Sequence, residues 1–126
     1  MPTTTQRPRF LNLLQIRMPI GAVTSIAHRV SGVLLFLAIP LGAFLFELSL
    51  KSEAGFERAA TLLQSPPLRL FGLLLAWALM HHLLAGLRFL MLDLGVGLDR
   101  PQARRSAWLA TLLAPIAALA LLWRFW

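Results

Sequence analysis

Cysteine is absent from the 126 residues, which excludes disulfide staples, thiolate metal ligands, iron–sulfur ligation by this chain and a cysteine nucleophile. Charge is scarce too: five Asp and Glu stand against twelve Lys and Arg, and charged residues make up 13% of the chain, where about 25% is usual for a soluble domain. So little polarity cannot cover a small soluble fold, which exposes much of its area. A Gly-rich phosphate loop, a zinc-ligand spacing and a basic stripe interleaved with aromatics are also missing, so nucleic acid is not an expected partner. In place of charge stands hydrocarbon, with 58% hydrophobic residues and a mean hydropathy of +0.72. Eleven of the twelve cations are Arg, most of them at or beyond the ends of apolar runs. That distribution reads as membrane topology.

Three apolar runs organise the chain: Val30 to Phe46, extendable to Leu50; Leu70 to Leu94; and Trp108 to Trp123. Each is near the roughly 20 residues that a helix needs to cross about 30 Å of hydrocarbon. The expected fold is therefore an all-α membrane protein with three transmembrane helices, over about 21–50, 67–95 and 106–125, in one membrane-anchor domain covering 1–126. That leaves no room for a catalytic domain, so soluble chemistry is expected on a partner. The first run starts late and has no A-x-A-like cleavage site, so it is read as a retained span, and the bacterial inner membrane is preferred. The basic, acid-free stretch Met1 to Arg17 leaves a mitochondrial transit sequence, and so a mitochondrial inner membrane, as the lesser alternative. Arg7, Arg9, Arg17, Arg29, Arg88, Arg100, Arg104 and Arg105 fall on one side, against Lys51, Arg58, Arg69 and Arg124 on the other. This predicts a cytoplasmic N-terminus and an outside C-terminus.

The outer loop, Lys51 to Ser65, spaces Phe56, Ala59, Ala60, Leu62 and Leu63 for a short helix lying in the interface. Ser65 is the candidate N-cap of the second span, with Pro66 and Pro67 in its first turn. Pro40 and Pro115 are expected to bend the first and third spans.

Polar groups in or beside spans carry the functional information, because charge is costly in hydrocarbon. On a helix starting near Ile20, Ser25 and Arg29 are i, i+4, with Gly21 and Gly32 continuing the stripe. Such a pair can hold a polar ligand head group at the membrane surface. A snorkelling Arg beside a back-bonded Ser is the alternative. In the second span His82, Gly86, Phe89 and Asp93 share one face, and His81, Ala85 and Arg88 the next. His82 lies roughly 18 Å from the cytoplasmic end, near the midplane. A histidine there ligates metal or haem, relays protons or bonds another helix, and Gly86 would let a flat macrocycle lie against the helix. Arg88 and Asp93, five apart, can pair only loosely, and interfacial anchoring is their alternative. One deep axial position supplies one ligand of a six-coordinate haem, so the second must come from elsewhere.

Ile16-Arg17-Met18-Pro19-Ile20, Ser25-Ile26-Ala27-His28-Arg29-Val30-Ser31-Gly32, and His82-Leu83-Leu84-Ala85-Gly86-Leu87-Arg88 followed by Asp93-Leu94-Gly95, with Arg7-Pro8 upstream, stand out together. With them the chain resembles the cytochrome b membrane-anchor subunits of succinate dehydrogenase, respiratory complex II. The likeness extends more weakly to Glu53–Glu57 and Arg104-Arg105-Ser106. The resemblance implies a bundle shared with a second membrane-anchor subunit, with one haem b between the two. His82 would be the axial ligand of the haem iron, and His28 and Arg29 would lie near its propionates. It implies a ubiquinone site lined by Ser25 and Arg29, with Asp93 nearby. Iron–sulfur and flavoprotein subunits would dock on the membrane pair, and membrane lipid would surround it.

Two departures bear on this. Phe89 stands where many members carry histidine, and His81 doubles the ligand position, so His81 is the rival ligand. The absence of tyrosine agrees with a quinone site whose tyrosine comes from a neighbouring subunit. The expected function is a haem b-binding anchor of succinate:ubiquinone oxidoreductase that contributes to quinone reduction. The alternatives are the anchor of a quinol:fumarate reductase and a cofactor-free structural anchor.

Overall fold

The computed structural model describes residues 17–125; Arg7-Pro8, Arg9 and Ile16 of the sequence motifs lie outside them. The described residues form four helices and no strand: α1 (Ile20–Lys51), α2 (Glu53–Gln64), α3 (Pro66–Asp93) and α4 (Arg100–Phe125). Three of them, α1, α3 and α4, are long and apolar enough to cross a membrane. The first two spans agree with the expected ranges to within two residues. The third helix starts six residues before the expected 106, because the apolar run marks only its hydrocarbon portion. At about 1.5 Å per residue, the 26 residues of α4 reach roughly 39 Å, beyond a hydrocarbon core of about 30 Å. Its arginine-rich first turns therefore extend past the apolar region. Pro40 and Pro115 lie inside α1 and α4.

α2 is the short helix expected in the outer loop. Ser52 caps it, its Oγ accepting from the Gly55 amide at 3.0 Å. A Cβ on Gly55 would collide with the backbone carbonyl oxygen of Leu48, so only glycine lets α2 fold back so tightly on α1. Ser65 occupies the N-cap position of α3, but its hydroxyl donates backward to the Leu62 carbonyl at 2.6 Å. The expected side-chain cap is thus replaced by closure of the α2 end, and Pro66 and Pro67 open α3 as expected. The D-x-G element has a local reason as well. Gly95 takes φ +82°, and the Val96 and Gly95 amides bond the Met91 and Leu92 carbonyls. This left-handed cap satisfies the last carbonyls of α3 and favours glycine.

α3 packs against α1 and α4, and α1 also touches α4. The starts of α1 and α4 and the end of α3 share one end of the bundle, with α2 at the other. The buried side chains are small. Ala76, Ala78 and Ala85 of α3 face a ridge of Ala107, Ala110, Ala114 and Ala118 on α4, while Phe36, Leu37, Phe46 and Leu70 point outward. Lipid offers no hydrophobic drive for helix association, so close approach of small residues takes over. Three buried polar residues, Thr24, Ser31 and His81, complete this core.

Candidate functional site

Two histidines on facing helices meet in the crossing of α1 and α3. The rings of His28 and His82 stack with centroids 4.0 Å apart and planes 10° from parallel. Each lies over the other helix's glycine. A Cβ on Gly32 would sit 3.0 Å from His82 Cε1, and one on Gly86 would sit 3.4 Å from His28 Nε2. The glycines of the two motifs are thus the floor on which the partner ring rests. Phe89 meets His28 edge-on at 5.3 Å, so the residue that replaces histidine here packs the back of this pair. The room over Gly86, expected to be open, is taken by His28.

His82 Nδ1 lies 3.1 Å from the His28 carbonyl oxygen and 3.3 Å from Ser31 Oγ. A carbonyl only accepts, so Nδ1 carries the hydrogen. The Ser31 hydroxyl donates to the same carbonyl at 2.8 Å. With Nδ1–H committed, the neutral ring presents its lone pair at Nε2, which forms no hydrogen bond among the described residues. A histidine that donates through one nitrogen to a backbone carbonyl is oriented to ligate a metal through the other. No cluster of three metal-ligating side chains forms among the described residues.

His81 points the other way. It is 1% exposed, its ring stacks with Trp77 at 5.5 Å, and its Nε2 reaches the Thr24 carbonyl at 3.4 Å. Its Nδ1 is buried without a partner among the described residues. Thr24 in turn donates to the Ile20 carbonyl at 2.9 Å and shares a 2.9 Å hydroxyl bond with Thr111 of α4. His81, Thr24 and Thr111 therefore tie the three spans together inside the bundle, while half-buried His82 lies on the outer α1/α3 face. Sequence reasoning missed Thr24 and Thr111, since a helical hydroxyl is ordinarily satisfied by its own backbone.

Of the remaining expected site residues, Ser25 is half-buried and Arg29 exposed, with no hydrogen bond between them or to others among the described residues. Asp93 is exposed at the last residue of α3 and forms no ion pair among the described residues. It does not join the His82 seam, because α1 starts at Ile20, with Gly21 beside Arg88, and does not run on opposite the final turn of α3. Arg88 does not turn to Asp93 either. Its Nε donates to Ser106 Oγ and its Nη2 to the Ala103 carbonyl, both at 3.1 Å, clamping α3 to α4.

Residues 3–121 match the family described as the succinate dehydrogenase/fumarate reductase transmembrane subunit. The chain belongs to this family. Among curated relatives, it is similar to proteins named succinate dehydrogenase cytochrome b556 subunit. That of Coxiella burnetii is 35% identical over 113 residues, covering 89% of this chain and 90% of the relative. That of Paracoccus denitrificans is 35% identical over 120 residues, 92% and 88% of the two chains. That of Rickettsia bellii is 28% identical over 118 residues, 94% and 91%. The three-span bundle is thus a membrane anchor of the succinate dehydrogenase cytochrome b type.

Proposed function

We propose that this chain is the haem b-binding anchor of a succinate:ubiquinone oxidoreductase in a bacterial inner membrane, its N-terminus on the cytoplasmic side. The orientation of His82 carries the reading. Its Nδ1–H is held by the His28 carbonyl, its ring rests on Gly32, and its Nε2 lone pair is uncommitted on the α1/α3 face. A haem shared with a second subunit needs such a fixed imidazole, and His81, turned into the core, cannot supply it without unpacking the bundle. His28 and Arg29 stand beside this position and would pair with propionates. Bound haem would supply a one-electron carrier.

Ubiquinone reduction is assigned to the same end of the bundle. There Ser25 offers a half-buried hydroxyl to a quinone carbonyl, Arg29 a cation for charge developing on the reduced quinone, and Asp93 a carboxylate for proton delivery. The flavoprotein and iron–sulfur subunits dock at this face. The names of the relatives favour succinate oxidation over fumarate reduction. The stacked His28–His82 pair favours a second reading, a cofactor-free anchor whose histidines only join helices.

A reduced-minus-oxidised spectrum of the co-purified complex tests these readings. Haem b is expected in the wild type and in His81→Ala, and is expected to be lost or altered in His82→Ala. Wild type without haem would support the cofactor-free anchor. Loss confined to His81→Ala would overturn the ligand assignment.

A further inference from the structure

At the end of the bundle where α1 and α4 begin lies an open cleft of about 940 Å³, lined by Arg88, Arg100, Arg104, Arg105 and Trp108 and by the Met18–Gly21 segment. Neither Ser25 nor Arg29 borders it, so it is separate from the residues assigned to quinone. Its charge is uncompensated. No carboxylate lines it, and the Lys51–Glu47 ion pair stands at the opposite end of α1. The sequence before Met18 contains no acid, and the two carboxylates on this side, Asp93 and Asp99, are exposed and unpaired among the described residues. Arg88 is fixed at the base of the cleft by Ser106 and the Ala103 carbonyl. Its Nη1 forms no hydrogen bond among the described residues, and the other three arginines are exposed.

The position of the cleft selects its occupant. It lies where α4 outruns the hydrocarbon, with a Trp of the kind that settles at the head-group level and apolar Met18, Pro19 and Ile20 on one wall. We propose that this cleft holds the phosphodiester head group of an acidic phospholipid, its acyl chains running down the adjoining lipid-facing surface. A guanidinium fork matches phosphate oxygens in bidentate fashion, and basic pockets between helices at a membrane face are built for anionic head groups.

The test uses the assembled complex with its partner subunits, stripped of lipid in detergent, titrated with phosphatidylglycerol or phosphatidylcholine and read by native mass spectrometry. Phosphatidylglycerol is expected to bind at least about tenfold more tightly, since only it carries a net charge for four arginines to meet. The Arg100→Gln/Arg104→Gln/Arg105→Gln variant is expected to weaken it roughly 100-fold, about fivefold per cation. The single variant Arg104→Gln, expected to weaken it about fivefold, covers the case in which the triple variant does not assemble, and unchanged binding there would equally overturn the proposal. Lys51→Gln/Arg58→Gln, at the other end, is expected to change nothing. Equal binding of the two lipids, unchanged binding in the triple variant, or full displacement by millimolar inorganic phosphate would overturn the proposal. So would loss of the iron–sulfur subunit from the triple variant with lipid binding intact, which would make the cleft a protein-docking surface.

Discussion

Gly32→Ala puts the smallest possible wedge into the seam that orients His82. The added methyl would stand 3.0 Å from His82 Cε1 and 3.4 Å from Nδ1, whereas carbon atoms settle at about 3.5–4.0 Å. The ring must therefore retreat by at least about 0.5 Å, or the helices must part. Retreat stretches the 3.1 Å bond from Nδ1 to the His28 carbonyl to roughly 3.6 Å, beyond useful hydrogen-bond length. Losing that bond costs about 0.5–1.5 kcal/mol, and overpacking of this kind costs about 1–3 kcal/mol overall. Alanine's better helix propensity, worth about 0.8–1.0 kcal/mol, offsets part of this, so the reference is Gly42→Ala, where a Cβ meets nothing within 4 Å. Unfolding in mixed detergent micelles followed by tryptophan fluorescence should separate the two variants by about 1–3 kcal/mol. Gly86→Ala, with its 3.4 Å approach to His28, should fall between them. Equal stability of Gly32→Ala and Gly42→Ala would refute the claim that the His82 ring is seated on that glycine.

Thr24→Val removes the hydroxyl bond to Thr111 and should cost about 1 kcal/mol in the same unfolding assay. Thr111→Val should cost a similar amount, and the double variant less than the sum, because no hydroxyl is then left unpaired; strict additivity would mean that the pair is not coupled. Gly55→Ala drives a methyl into the Leu48 carbonyl oxygen and should lift α2 from α1 at a cost of about 1–3 kcal/mol, seen as faster proteolysis within α2. Unchanged cleavage would argue against the tight fold-back. Ser25→Ala should lower quinone reductase activity severalfold while dye reduction by the soluble subunits is preserved; equal loss of both would reject the hydroxyl's role.

The three spans were legible because apolar runs of membrane length admit one interpretation, and the α2 amphipathic spacing and the prolines of α3 were legible for equally local reasons. The start of α4 was not, since Arg100 to Arg105 are helical by continuation of the apolar helix, not by hydropathy. The His82 stripe through Gly86 and Phe89 was legible from helical periodicity. Asp93 continues that stripe, but periodicity says which face a residue occupies and not whether α1 still runs opposite it. Thr24, Thr111 and the Arg88–Ser106 clamp depend on how three helices are rotated against one another, which no single helix records. That His81 turns inward while His82 lies in the α1/α3 seam needed the same information.

The alanine ridge of α4 bears on the order in which the bundle assembles. Alanine has no side-chain rotamers to lose when it is buried, so along this ridge α3 and α4 come together without a side-chain ordering cost, which is confined to the Arg88 clamp. α1 must bring its imidazole, a serine and a threonine into register with the two imidazoles of α3 before its own seat is worth occupying. A late-joining first helix follows as a hypothesis: a chain truncated before α3 should hold the α3–α4 spacing measured by crosslinking, and loss of that spacing would show that α1 is needed from the outset. The oldest contact in each newly made molecule would then be its plainest one, and the histidine seam would close last, at the stage when a cofactor or a partner helix can still influence how it closes.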